Sequence, residues 1–339
     1  MMDLRGVKCV MIAMLLFYLA GCVPSGLPIV EITDDINVTT TWEGGTIYVI
    51  KEFDFWVNAT LEIEPGAIIK FDSSEGPGMN VDGTVIANGT LTNPIIFTAY
   101  KDDAHGDDTN GDGSITTPLP GDWDGIYIQN NGSVFNNCEF YYGGDRVLEP
   151  WDCIATITNS LFAHNSGSAL DASSALAGTV ITGNTFFDNE RPLFINTTFH
   201  LDDSNVFENP DDPSETNTYN GVFVEYPDDV GSHINWEEAD VAFVLDDNDL
   251  WILDYASLTL GNDVVIKFTP GSTINHYGNI NNFNGPGVFF TSYKDDNRKG
   301  DTNGDGSLTT PMDGDWNGIY NDNTFVYQAW PNILYDEIH

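Results

Sequence analysis

Basic side chains are scarce. Against 52 Asp and Glu, the 339-residue chain sets only 11 Lys and Arg, a formal net charge of −41. Such a surface repels DNA and RNA, and no basic stripe or Lys/Arg-rich tail offsets it. Nucleic acid is excluded as a partner, which leaves metal cations, neutral or cationic polymers and other proteins. Charge is thin overall, 19% of residues against 41% hydrophobic. The chain therefore lacks the composition of a disordered polymer and can bury a sizeable core. After residue 25 no stretch sustains a helical period. Phosphate loops, dinucleotide fingerprints and nucleophile constellations are missing as well. The six histidines, His105, His164, His200, His233, His276 and His339, stand at no spacing that suits zinc.

The apolar run from Cys9 to Leu19 follows a short segment carrying Arg5 and Lys8. About a dozen apolar residues are too few to span a bilayer permanently and suit a secretory signal peptide. Leu19-Ala20-Gly21-Cys22 resembles a bacterial lipobox. The resemblance implies cleavage before Cys22, acylation of Cys22, and an exported protein held by lipid on the bacterial envelope, at the outer membrane or cell surface. Cysteine is rare: Cys9 leaves with the signal and Cys22 takes lipid, so Cys138 and Cys153 remain. In an oxidising compartment they are equally compatible with a disulfide and with two buried thiols.

The chain repeats itself at an offset of 193 residues. Between Phe97–Tyr127 and Phe290–Tyr320, 22 of 31 positions are identical, so one large module is followed by the opening part of a second. Upstream, Leu61 to Phe71 answers to Leu258 through Phe268 at a slightly different spacing. Shorter units recur inside the first module. Ser133 to Phe140, Ile157 to Phe162 and Ile181 to Phe186 place matching asparagines at 137, 159 and 184, steps of 22 and 25 residues. Each unit is a short alternating strand bounded by Asn, Gly, Ser and Asp. One coil of this size cannot bury its own apolar edge, whereas coils stacked about 4.8 Å apart share a continuous core. The expectation is an all-β solenoid.

Leu61 to Phe71, Asn93-Pro94-Ile95-Ile96-Phe97-Thr98, Asp108 to Gly113 and Gly121 to Ile126 together resemble a family of secreted right-handed parallel β-helix proteins, pectate-lyase-like in fold and many of them bacterial lipoproteins. The likeness covers most of residues 44–225 and 241–320. With the N-terminal reading, the expected division is a signal over 1–21, a linker over 22–43, a first module over 44–226 and a second, incomplete module over 227–339 that continues the solenoid. Only nineteen residues follow Tyr320, so either the second module is incomplete or the solenoid ends there in an irregular cap such as Phe325 to Ile338. The fold is shared by enzymes, adhesins and other proteins, and fixes architecture better than function.

Asp108, Asn110 and Asp112, followed by Gly113 and Ser114, put oxygens at alternate positions with glycine at the sixth. Asp301, Asn303, Asp305, Gly306 and Ser307 repeat the pattern. Calcium takes six to eight hard oxygens from a flexible loop, and this spacing curls them round one point. The expected ligands are Asp108, Asn110, Asp112 and Ser114 in the first loop and Asp301, Asn303, Asp305 and Ser307 in the second. Leu119 and Met312 occupy the twelfth position, where an EF-hand has its bidentate Glu. The completing carboxylates are sought among Asp102, Asp103, Asp107 and Asp122, and among Asp295, Asp296 and Asp315. Asp, Asn and Gly also form metal-free turns, but recurrence of the same crowding favours a shared cation. Magnesium, which prefers a rigid octahedron with waters, fits less well.

No catalytic residue is assigned. Excluding the signal, the arginines are Arg146, Arg191 and Arg298, with Arg146 read as a loop residue. Asp188, Glu190 and Arg191 form the most site-like cluster, read as a solvated turn, as are the paired acids Asp202-Asp203, Asp211-Asp212, Asp228-Asp229 and Asp246-Asp247. Of eight tryptophans, most are assigned to the core, and any at the surface would offer flat faces to sugar rings. The favoured reading is a non-catalytic, surface-anchored protein that binds calcium and a polysaccharide or cell-surface ligand. The alternative is a polysaccharide lyase or glycoside hydrolase.

Overall fold

In a computed structural model, residues 26–52, 54–72, 78–225, 229–246 and 249–338 are described; the signal and Cys22 lie outside them. Every regular element among them is a strand. From Thr40 to Ile195 the chain enters a six-stranded, a seven-stranded and a ten-stranded sheet in turn and then returns to the first. Neighbours within a sheet are therefore one coil apart in sequence and pair in parallel, as Ile47–Ile50 does with Ile68–Phe71. The result is a parallel β-solenoid. From Gly221 onward the ten-stranded sheet continues, but its companions are a three-stranded and a four-stranded sheet.

Alternation builds the core. In Ile126–Ile128 the two isoleucines are buried and Tyr127 between them points outward. Inward phenylalanines of successive coils stack in register. Ring centroids run 4.9 Å from Phe97 to Phe140, 4.6 Å to Phe162, 5.1 Å to Phe186 and 5.4 Å to Phe207. The turns are held by asparagine ladders. The Asn189 carbonyl accepts the backbone and side-chain N–H groups of Asn165, and Asn217 does the same for Asn189. A second ladder runs from Ser160 to Asn184 and Asn205. Each amide thus satisfies turn groups that coil stacking has taken from water.

Register corrects one detail of the sequence reading. Ile157 pairs with Ile181, a step of 24, so Gly183 and not Asn184 stands in the place of Asn159. Asn137, Asn159 and Gly183 all adopt positive φ, which Asn and Gly tolerate best. Asn184 is instead the ladder residue. Pairing also begins inside the expected linker, because Ile29–Ile32 lies parallel to Ile47–Ile50 and Trp42 is buried. Cys138 and Cys153 are buried free thiols. At the far end Val326–Tyr327 runs antiparallel to Gly318–Asn321, and Ile333 bridges to Phe290. Trp330 stacks on Phe283 at 4.0 Å.

The 193-residue repeat is rotated about the solenoid. Ile68–Phe71 belongs to the seven-stranded sheet, whereas its counterpart Val265–Phe268 belongs to the ten-stranded one. The first acidic loop accordingly leaves between the seven- and ten-stranded sheets, and the second between the ten- and four-stranded sheets.

Candidate functional site

Each acidic loop folds back over the outer face of the sheet it leaves. Gly106 packs so closely on Ile47, in an outward cluster of Ile47, Val49 and Ile68, that an added Cβ would meet the Ile47 Cδ1 at 2.8 Å. The second loop approaches the cluster of Phe194, Phe223 and Val244, where a Cβ added to Gly304 would meet the Tyr219 Cε1 at 2.7 Å. Common anchors fix both loops. Trp123 donates to Tyr141 O and stacks on Phe71 at 4.2 Å; Trp316 donates to Leu334 O and stacks on Phe268 at 3.8 Å. Lys101 pairs with Asp122 and Lys294 with Asp315, both at 2.7 Å.

In the first loop one oxygen each from Asp103, Asp108 and Asp112 lie within 4.8 Å of one another. Oxygens on opposite sides of a calcium ion, at 2.3–2.6 Å from it, stand about 4.6–5.2 Å apart, so the three fit a single ion. Asp103 Oδ1 is buried without a hydrogen-bond partner, while Ser114 donates to Oδ2 at 2.7 Å. Asp103 is thus the residue, of the four sought as completing ligands, that joins the loop. Asp102 is taken up by Thr98 and His105, and Asp122 by Lys101. Asn110 turns its Nδ2 to Asp112 and its Oδ1 to the Asp112 N–H.

The second loop copies this with one difference. Asp296 Oδ1 is again buried and unpartnered, and burial, with Asp301 and Asp305 adding to it, raises the Asp296 pKa. Ser307 hydrogen-bonds Asp296 as Ser114 does Asp103. Asp301, however, accepts N–H groups of Asn303, Gly304 and Gly306, whereas Asp108 accepts those of Asp112 and Gly113. Among the described residues, Asp296, Asp301 and Asp305 form no convergent triad like that of the first loop.

Beneath each loop lies a fully buried lysine that sequence reasoning passed over. Lys70 Nζ donates to Asp102 O at 2.8 Å, Asp107 O at 3.3 Å and Thr109 Oγ1 at 2.7 Å. Lys267 Nζ donates to Gly300 O and Thr302 Oγ1. Burial lowers both pKa values to about 8, against the attraction of the loop carboxylates. Each loop therefore carries one positive charge of its own. The signal was present in the repeat: a lysine between Ile69 and Phe71 recurs between Ile266 and Phe268.

The ten-stranded sheet carries an open groove of about 610 Å³ on its outer face, lined by Asn80, Tyr127, Gln129, Glu149, Trp151 and Asp152. Trp151 is 52% exposed. Beside the groove Arg146 donates to Glu149 at 2.8 Å and lies 3.4 Å from Asp171. Arg146 opens the strand Arg146–Pro150 and is not the loop residue expected. Burial, helped by Asp171 and Asp145 and opposed by Arg146, raises the Glu149 pKa to about 7. Arg191, Phe194 and Glu225 continue this face, with Arg191 over the Tyr219 ring at 4.4 Å. Of the cluster read as Asp188, Glu190 and Arg191, the last two stay paired at 3.6 Å and Asp188 leaves them. Asp188 turns to His164 at 2.5 Å, bringing His164, Asp188 and Glu215 together, while Glu190 accepts the Gly167 N–H. Trp42, Trp123, Trp236 and Trp316 are core residues.

Comparison of the chain with protein-family models, curated proteins and solved structures returns no match.

Proposed function

We propose that the chain is an exported, lipid-anchored, calcium-binding right-handed β-helix that holds an extended saccharide along the outer face of its ten-stranded sheet. One observation carries the binding reading: an open groove with an exposed Trp151 beside Tyr127, Asn80 and Gln129. A flat indole presents an apolar face to a sugar ring, and amides and carboxylates around it match hydroxyls. Calcium fits the same reading, since acidic loops on acidic coils require counter-ions in an extracellular setting. The anchor is Cys22, in Leu19-Ala20-Gly21-Cys22, and the localisation is the outer membrane or cell surface.

Affinity electrophoresis through gels containing a panel of neutral and acidic polysaccharides, with and without calcium, tests the binding. At least one polymer retards the wild type, and Trp151→Ala abolishes the retardation without changing the melting temperature. Equal mobility of wild type and Trp151→Ala in every gel overturns the groove as the binding face.

A second reading, catalysis, is favoured by Glu149. A buried carboxyl with a pKa near 7, sharing the Arg146 guanidinium with Asp171, has the properties of a general acid placed beside a second carboxylate. New reducing or unsaturated ends on prolonged incubation, lost in Glu149→Gln, select this reading over binding alone.

A further inference from the structure

A third acidic cluster lies away from both loops, at the corner between His233–Trp236 and Ala242–Leu245. Carboxylate oxygens of Asp203, Glu238 and Asp240 lie within 4.8 Å of one another. Asp203 and Asp240 are exposed, but Glu238 is completely buried. Its Oε1 accepts the Asp240 N–H at 2.8 Å, and its Oε2 has no hydrogen-bond partner. A fully buried carboxylate oxygen without a donor is expensive in any folded protein, so a native one calls for a ligand.

The surroundings say which kind. Asp203 accepts the Ala239 N–H at 2.9 Å, so the corner backbone already holds it against Glu238. Asp203 follows Leu201, which bridges to Trp236 of the next coil. The three carboxylates therefore come from two successive coils. Lys299 reaches back from the second acidic loop, but its ammonium donates to Ala239 O, and its charge acts on Asp240. Three carboxylates against one ammonium leave about two negative charges, and the spacing is that of oxygens around a calcium-sized ion. A histidine or thiol ligand is not part of the group, which disfavours softer metals.

We propose that Asp203, Glu238 and Asp240 form a further site for a hard divalent cation, calcium foremost, that clamps two successive coils where the solenoid exchanges one pair of companion sheets for another. Its three carboxylates belong to neither acidic loop, so its test is separable from theirs.

The test uses the full exported chain with both loops disabled, Asp112→Ala/Asp305→Ala, and calcium alone as the probe at about 1 mM, in the range of extracellular modules. Calorimetry detects one remaining binding event, and calcium still raises the melting temperature. Adding Glu238→Gln, which keeps the side-chain shape, abolishes both. Adding Asp203→Asn on the exposed rim weakens binding about tenfold by removing one ligand charge. Absence of any binding event in the loop-disabled chain overturns the proposal. So does a binding event that survives Glu238→Gln. A loop-disabled Glu238→Gln chain whose melting temperature calcium still raises also overturns it.

Discussion

Lys70 and Lys267 are the same residue of the repeat set on two different sheets, each fully buried and each donating to a backbone carbonyl and a threonine hydroxyl of the acidic loop above it. The loops are therefore built round an internal ammonium as well as round their carboxylates. An external cation bound there would add to a charge balance that the chain has already begun.

Replacing Lys70 with Met keeps the apolar stem and removes the ammonium. Asp102 O and Asp107 O lose their donor, so the calcium-free protein should lose about 2–4 kcal/mol in urea unfolding, with part of the loss recovered in calcium. The pH dependence has a definite sign. The lysine pKa is about 8 in the folded chain and about 10.4 unfolded. This group's contribution is fully present above the unfolded value and is lost as pH falls through the folded one. Stability from Lys70 thus rises between about pH 8 and pH 10, and the Lys70→Met profile should lack that rise.

The two loops leave from different corners and share no residue, so their calcium effects should add. A cation that binds only the folded chain contributes RT ln(1 + [L]/Kd), about 2.7 kcal/mol per site at a hundredfold excess over Kd. Asp112→Ala and Asp305→Ala should each remove one event from a calorimetric titration and leave the rest. Because Asp103, Asp108 and Asp112 already converge, the event lost in Asp112→Ala should be the tighter one. Identical titrations for wild type and both variants at millimolar calcium would show that the loops are metal-free turns.

Asn189 is the middle rung of a ladder, receiving from Asn165 and donating to Asn217 and to Phe162 O. Asn189→Ala strands several buried groups at once, and each costs about 1–3 kcal/mol. Urea unfolding should show a loss of at least about 3 kcal/mol. Asn37→Ala, in an exposed turn, should stay within about 0.5 kcal/mol of wild type.

The coils were legible in the sequence because alternation and turn residues are local signals. Phe135, Ile157 and Ile181 declare a buried face within three or four residues of chain, and the repeated acidic loops identify themselves by recurrence. The faces on which repeats fall were not legible. A 193-residue offset is counted along the chain, whereas the change from the seven- to the ten-stranded sheet depends on how many strands each intervening coil contains. The groove was hidden for the same reason. Tyr127, Glu149 and Asp171 are separated by whole coils, and only parallel register brings their outward side chains to one surface. Arg146 lies just after Gly143-Gly144-Asp145 and so reads as part of a turn, although it begins a strand. Asp203 and Glu238 were similarly out of reach, being 35 residues apart and joined only by the step from one coil to the next.

Glu149 provides the most direct check on the groove. Its pKa is raised to about 7 mainly by burial, and the Arg146 guanidinium pulls it the other way. Removing that charge in Arg146→Gln should therefore move the Glu149 midpoint upward, while Asp171→Asn, which removes a repelling carboxylate, should move it downward. Carboxyl ¹³C chemical shifts followed from pH 4 to pH 9, assigned by loss of the signal in Glu149→Gln, read both displacements. Stability follows the same group. With the folded pKa raised above the unfolded value of about 4.3, the contribution is fully present below the unfolded pKa and is lost as pH rises through about 7. Wild type should thus lose melting temperature over that interval relative to Glu149→Gln. A carboxyl midpoint near 4 in the wild type, unmoved by Arg146→Gln, would mean that water reaches Glu149 freely, and the general-acid reading would fall with it.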